Sequence, residues 1–310
     1  MKNGNRRFSS EGVIHVYQRA IHGYNIFYTI YDRLVFYTIF SVFLKRFGVS
    51  ALALCLMIDH FHMLLICSSK LQLSKFVASV TSLYARLFNE RIGRKGQLFD
   101  KSFGSAPKCS SKQVRTIVPY VFNNPVEKCI CLDPLEYRWN FLAYYSSNFP
   151  FSKKILLRSS TKNLRKAISE VDFHFENDLW LNYTLLARLY APLSAIEQSQ
   201  LTDYIIHKYY PFDKTELLSY YKSIEMMNLA IRSVTGNEYQ IKEDYNKFSD
   251  TLYNDIEQYV VGNLNLLPTT LLVLPIEEKI EIAQKIRANT AASNLQIAKY
   301  LHIPLKRCGV

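Results

Sequence analysis

Two apolar runs, Ser50–Met57 and His60–Cys67, are separated only by Ile58 and Asp59. Each has ordinary strand length, and the two-residue break predicts a hairpin of buried strands. A hairpin alone is barely stable in water, so it needs further strands beside it and helices to cover it. The flanking sequence predicts both. Gly12–Ile21 alternates imperfectly and reads as a strand. Asp32–Phe47 has helical spacing and stops at Gly48, a natural C-cap. Leu73–Ile92 keeps an apolar face at helical period and is closed by Gly93. Phe99–Pro107 reads as a short strand. Ser110 and Gln113 make a capping box that opens a helix toward Asn123. Asn124 precedes Pro125, which is expected to end that helix. The order β-α-β-β-α-β-α predicts an α+β split β-α-β domain with one further helix, carrying Tyr120, packed on the sheet.

The remainder reads differently. Ser146–Ser160 has linker composition, and residues 161–257 read as mostly helical with mixed charge. Gln258–Ile276 lacks charge, but Gly262, Pro268 and Pro275 predict loop. Ile276–Arg287 and Leu295–Leu301, the latter opened by a Ser293/Gln296 capping box, read as helices. A third would begin at Pro304–Leu305, the start of a helix-turn-helix. The expected divisions are residues 1–147, a helical accessory region 148–270, and a partial helix-turn-helix 271–310.

Charge narrows the partner. The chain has 310 residues and a formal net charge of +12. Residues 1–150 hold 19 Lys/Arg against 8 Asp/Glu, a balance of +11, whereas residues 151–310 hold 19 against 18. A basic half on a near-neutral chain is the footprint of a polyanion. The six cysteines, among them Cys308, form no C-x-x-C pair, and Cys129-x-Cys131 is too tight for a zinc knuckle. A reducing, cytoplasmic setting is expected. Met1–Gly12 is polar and Leu34–Leu44 is too short to span a bilayer, so no membrane partner is expected.

His60-Phe61-His62 carries the sharpest chemistry. Residues two apart on a strand face the same way, so both imidazoles leave one face, close enough to hold one metal ion. Two strand histidines satisfied by ordinary hydrogen bonds fit the same pattern. Tyr120 and Asn124 are four apart on the predicted helix and share a face. A tyrosine hydroxyl can be a nucleophile and an amide oxygen a ligand for a hard metal, but core packing and turn chemistry fit these two residues as well.

Leu56–Leu65 (LMIDHFHMLL) resembles the "MPNHFHLLL" signature of single-tyrosine HUH transposases. Tyr120–Val126 (YVFNNPV) resembles their "YIxxNPV" segment. Glu136–Trp139 followed by Tyr144 and Tyr145 resembles the "YxWSSYxAY" segment of REP-associated tyrosine transposases, within the IS200-like superfamily. The resemblance covers about residues 10–147. It departs at Ile58 and Asp59, where the family has Pro-Asn, and at Pro119, inside the predicted helix. It implies a ferredoxin-like HUH domain with an extra catalytic helix, followed by a mostly helical C-terminal region.

The resemblance also implies an activity. By resemblance the expected activity is that of a DNA transposase or endonuclease that cleaves and rejoins single-stranded, hairpin-associated DNA through a 5′-phosphotyrosine. By resemblance Tyr120 is the nucleophile, and His60, His62 and Asn124 bind one Mg²⁺ or Mn²⁺. Arg86, Arg91, Arg94, Lys95, Lys101, Lys108, Lys112 and Arg115 crowd the stretch leading to Tyr120 and are expected to hold DNA phosphates. The protein would act as a monomer or homodimer. The alternatives are an inactive, domesticated relative that only binds structured DNA, a ferredoxin-like RNA-binding module, and a replication initiator using the same chemistry.

Overall fold

The computed structural model describes residues 7–100, 102–233 and 249–307. Its centre is a four-stranded sheet of β1 (Val13–Arg19), β2 (Ser50–Leu56), β3 (His60–Ile66) and β4 (Gly104–Lys108), in the order β2-β3-β1-β4 with every pair antiparallel. The hairpin forms where expected. Met57 N donates to His60 O at 2.9 Å, closing the turn over Ile58 and Asp59. Opposite Arg19, Tyr17 and His15 on β1 stand His60, His62 and Leu64 on β3.

Strand alternation separates two faces. Phe61 points to the face covered by α1 (Ile30–Phe47) and α2 (Lys70–Ile92), with its ring 5.0 Å from Phe36 and 5.8 Å from Phe99. A capping box between Thr29 and Asp32 starts α1, and Gly48 at φ 60° ends it. Gly93, at φ 67°, ends α2 in the same left-handed way. Helix α1 is apolar almost all round, and such a helix must be covered on both sides. Further helices provide the outer cover: α4 (Lys162–Glu176), α5 (Tyr183–Tyr190) and α6 (Ala195–Lys208). Tyr37 Oη donates to Ile206 O at 2.9 Å, Ser41 Oγ to Tyr209 O at 2.7 Å, and Leu181 N to Thr38 Oγ1 at 3.1 Å. The linker-like stretch 146–160 packs too. Phe151 N and Ser152 Oγ both donate to buried Asp203.

The opposite face carries α3 (Ser111–Glu127), started by the Ser110/Gln113 capping box. The expectation that it ends before Pro125 is corrected, because the helix runs unbroken through Pro119 and Pro125. Each interior proline costs about 3 kcal/mol. Against that, α3 buries Val114, Ile117, Val118, Tyr120, Val121, Phe122, Asn123, Asn124 and Pro125 on the sheet. Asn140 Nδ2 also donates to the Phe122 carbonyl, and Asn123 Nδ2 donates to Ile231 O. Ile231 lies on α8 (Ile224–Ser233), which follows the short α7 (Lys214–Ser219).

The last described stretch returns to the sheet domain. It comprises α9 (Leu252–Gln258), a π-helical turn over Tyr259–Asn263, α10 (Pro268–Val273), α11 (Ile276–Asn289) and α12 (Asn294–Leu301). The loop expected over Gln258–Ile276 is thus partly helical. Pro268 sits at the first helical position, where its missing N–H costs nothing. Helix α12 buries Gln296, Ile297, Ala298, Tyr300 and Leu301 rather than offering them to a groove. Its main chain docks onto the segment before α1, where Tyr28 Oη donates to Tyr300 O at 2.8 Å and Asn25 N donates to Lys299 O at 3.3 Å. Among the described residues only a 3₁₀ turn, Leu305–Arg307, follows, and Cys308 lies outside them. Among the described residues no helix is long and apolar enough to cross a membrane.

Candidate active site

His15 and Tyr17 on β1, His60 and His62 on β3, and Tyr120 and Asn124 on α3 meet between the sheet and α3. Period two on the strands and period four on the helix aim these side chains at one another. The Tyr120 ring stands edge-on to His62 at 5.5 Å and to His15 at 5.7 Å. Asn124, one turn further along α3, reaches His62 Nε2 with Nδ2 at 3.2 Å. The four residues singled out for chemistry are therefore neighbours in space.

Hydrogen bonds select the histidine tautomers. Asp59 Oδ1 lies 2.5 Å from His60 Nδ1, so that nitrogen carries the proton and Nε2 keeps its lone pair. Asn124 Nδ2 donates to His62 Nε2, so neutral His62 carries its proton on Nδ1 and donates it to His15 Nε2 at 3.0 Å. Burial drives the His15 imidazole well below its usual pKa, with His62 and Lys108 adding to the effect, and His15 stays neutral. Each ring is thus held through Nδ1; His60 Nε2 keeps a free lone pair, whereas His62 Nε2 accepts from Asn124 and is released to a cation when the amide turns to present Oδ1.

Asp59 is nearly buried, and burial alone would raise its pKa. The adjacent His60, then Arg19 and Lys299, overcome this and hold the carboxyl well below the usual carboxylate range. Arg19 Nε is 3.8 Å and Lys299 Nζ 3.4 Å from Asp59 Oδ2. Nearby Asp250 is pushed up to about 6 by burial and by the Asp59 charge, with His60, Lys128 and Lys299 pulling it back.

On the predicted ligand residues, His60 Nε2 and Asn124 Oδ1 are buried with no hydrogen-bond partner among the described residues. Unpaired buried polar atoms are costly, and an imidazole nitrogen and an amide oxygen are both metal donors. The residues thus fit a divalent cation bound by His60, His62 and Asn124. Among the described residues no group of three or more His, Cys, Asp or Glu is placed to hold a metal, so any such site needs the amide.

The basic residues do not form one surface. Arg86 and Lys95 are exposed at the end of α2, and Arg86 is 4.0 Å from Glu90. Lys112 and Arg115 are exposed on α3, across the sheet from α2. Arg91 turns inward, bonding Asp32 Oδ1 at 3.0 Å and stacking 4.4 Å over Tyr183. Arg94 bonds Asn89 Oδ1 at 3.0 Å and Gln97 O at 2.9 Å. Lys108 is buried beside His15, and Lys101 lies outside the described residues.

Four site residues, His15, Tyr17, Arg19 and Lys299, escaped the sequence reading. The alternation of GVIHVYQRAI already put His15, Tyr17 and Arg19 on one strand face, a signal that could have found all three. No local pattern points to Lys299, which comes from the far end of the chain.

Residues 10–124 match the family model described as "Transposase IS200 like". A solved structure described as "Structure of the REP associates tyrosine transposase bound to a REP hairpin" is 15% identical, over 45% of this chain and 81% of that one, with a TM-score of 0.38. No curated protein matches the chain.

Proposed function

We propose that this protein is a DNA transposase that cleaves and rejoins single-stranded, hairpin-associated DNA through Tyr120, a reading supported by the match of residues 10–124 to the IS200-like transposase model. The observation that carries this reading is the meeting of Tyr120, His60, His62 and Asn124 in one buried cluster with two unpaired ligand atoms.

His60, His62 and Asn124 would hold one Mg²⁺ or Mn²⁺. When bound, such an ion supplies polarisation of the scissile phosphate and offsets the charge developing on it. The Tyr120 oxygen attacks phosphorus. An Oη–P bond forms, the P–O3′ bond breaks, the phenolic proton is given up, and the leaving oxygen takes up a proton to become a 3′-hydroxyl. The reverse attack by another 3′-hydroxyl releases Tyr120 and rejoins DNA, so no nucleoside triphosphate is consumed. Asp59 and His15 keep the two imidazoles in the required tautomer throughout.

The test is a denaturing gel of the full chain incubated with Mn²⁺ and labelled hairpin oligonucleotides. A covalent adduct mapped to Tyr120 by mass spectrometry, and absent in Tyr120→Phe, is expected. The substitution removes one oxygen and little volume, so folding and DNA binding should persist. An adduct on another tyrosine overturns the assignment. Binding without any adduct assigns the chain instead to the non-cleaving relatives.

A further inference from the structure

The near-neutral second half of the chain is not evenly charged. Six of the 19 Lys/Arg in residues 151–310 fall between positions 153 and 166, which leaves 13 elsewhere against 18 Asp/Glu. These six are Lys153, Lys154, Arg158, Lys162, Arg165 and Lys166, and all are exposed. We propose that they form a second DNA-holding surface, which takes the phosphates of double-stranded DNA beside the cleaved strand without reading its sequence. The proposal rests on the transposase reading above and extends DNA contact beyond residues 10–124, the part that the family model matches.

The main chain of this segment is tied to its neighbours. Gln200 Nε2 donates to Lys153 O at 3.0 Å, and Asn163 Nδ2 to Pro192 O at 3.4 Å. Helix α4 then buries Leu164, Ala167, Ile168 and Val171, and its opposite stripe presents Lys162, Arg165 and Lys166 at the i, i+3 and i+4 spacing of one face. Helix stability does not explain those charges. Lys162 in the first turn opposes the helix dipole, and like charges at 162 and 166 repel. The carboxylates further along α4 are already matched, with Glu170 2.9 Å from Arg188 and Asp172 2.8 Å from Lys208. Glu197 approaches from α6, but its oxygens accept from Thr161 Oγ1 at 2.6 Å and Ser194 N at 3.0 Å. Among the described residues none of the six cations is ion-paired.

Composition selects the partner. Single strands are held by stacking on aromatic rings as well as by charge, and residues 152–172 contain no aromatic side chain. Duplex DNA presents a negative charge about every 1.7 Å of its axis and is held by cations alone. A lipid surface takes up the apolar face of an amphipathic helix, and that face of α4 is already buried in the protein. Leu156 and Leu157 are exposed among the cations, so an anionic membrane is the partner to be excluded by test. Position links the surface to cleavage. Phe151, two residues before Lys153, lines the same cavity as Ile58, two residues before His60. Each two-residue step covers about 7 Å at most. One turn of duplex spans about 34 Å, so a stem beside the attacked phosphate reaches this segment.

The measurement compares the full wild-type chain with the triple variant Lys162→Gln, Arg165→Gln, Lys166→Gln. Fluorescence anisotropy follows binding to a long-stemmed hairpin and to oligothymidylate from about 50 to about 200 mM salt. The triple variant is expected to lower the salt slope on the long stem by about 3, one for each lost phosphate contact. Oligothymidylate binding and thermal unfolding should stay as in the wild type. The double variant Lys153→Gln, Lys154→Gln should lower the slope on the stem by about 2. Lys222, Lys285 and Arg287 are exposed elsewhere, and changing all three to Gln should leave the slope intact. An unchanged slope in the first two variants, or an equal fall in the control or on oligothymidylate, overturns the surface while sparing the transposase reading, which stands on the Tyr120 adduct. Loss of binding to phosphatidylglycerol vesicles in the triple variant, with duplex binding unaltered, overturns it in favour of a membrane. Failure of the wild type to bind any of these DNAs overturns both.

Discussion

Lys299 Nζ stands 3.4 Å from Asp59 Oδ2, although 240 residues of chain separate the two. The same carboxylate grips His60 Nδ1 through its other oxygen. A side chain from the last helix thereby bears on the orientation of a candidate metal ligand on the central hairpin. The C-terminal stretch is part of the site's support, held there by the contacts of Asn25 and Tyr28 with α12.

Asp59→Asn keeps the shape of the side chain and removes its charge. Loss of an outer hydrogen-bond partner typically weakens a metal site about 10- to 100-fold. Mn²⁺ titration followed by electron paramagnetic resonance should show a fall of that order, and Lys299→Met a smaller fall in the same direction. Unchanged Mn²⁺ affinity in Asp59→Asn would show that this carboxylate does not support the ligand.

His60→Ala and Asn124→Ala each remove one of the unpaired ligand atoms. Both should abolish Mn²⁺ binding and strand cleavage while hairpin affinity, which rests mainly on phosphate contacts, stays close to wild type. If either variant cleaves at the wild-type rate, the ligand assignment fails.

Arg91 and Arg115 should part company. Removing one partner of a buried ion pair costs about 3 kcal/mol or more. Asp32 accepts from Arg91, Tyr183 and Thr29, so Asp32→Ala should lower urea-unfolding stability by about that amount. Arg91→Met should also destabilise while leaving the salt dependence of DNA binding intact. Arg115→Ala, on an exposed face of α3, should leave stability alone and reduce the salt slope by about 1. The opposite pattern would make Arg91 the phosphate contact.

His302 gives the docking of α12 a pH dependence. Its ring stacks on Tyr24 at 4.5 Å and its Nε2 donates to Asn25 O at 2.7 Å. Burial pushes its pKa down to about 3, Arg94 and Lys279 adding to this and the Asn25 bond opposing it. The unfolded chain takes up the proton near pH 6.5. Its stabilisation is therefore complete above about pH 6.5 and lost as the pH falls toward 3. Allowing for solvent screening of this half-buried ring, the loss at pH 5 should be about 1 kcal/mol. His302→Asn tolerates the local φ of 55° and should flatten the rise in urea midpoint between pH 4.5 and 6.5. An equal slope in both proteins would place the titration elsewhere.

Much of the sheet domain was legible in the residues because its signals are local. Gly48 and Gly93 stop helices by adopting left-handed φ, the Ser110/Gln113 box starts α3, and alternation alone puts His60 and His62 on one face. Periodicity also placed Tyr120 and Asn124 on one helix face. Local rules failed where burial outweighed them. Pro119 and Pro125 lie inside a continuous helix because α3 gains more by covering the sheet than its two missing hydrogen bonds cost. Nothing local marked His15 as the partner of His62, Arg91 as a partner of Asp32 rather than of phosphate, or Lys299 as a neighbour of Asp59. Those pairings join residues 47, 59 and 240 positions apart. Sequence period reports which way a side chain leaves its own element, and only the packing of elements decides what it meets there.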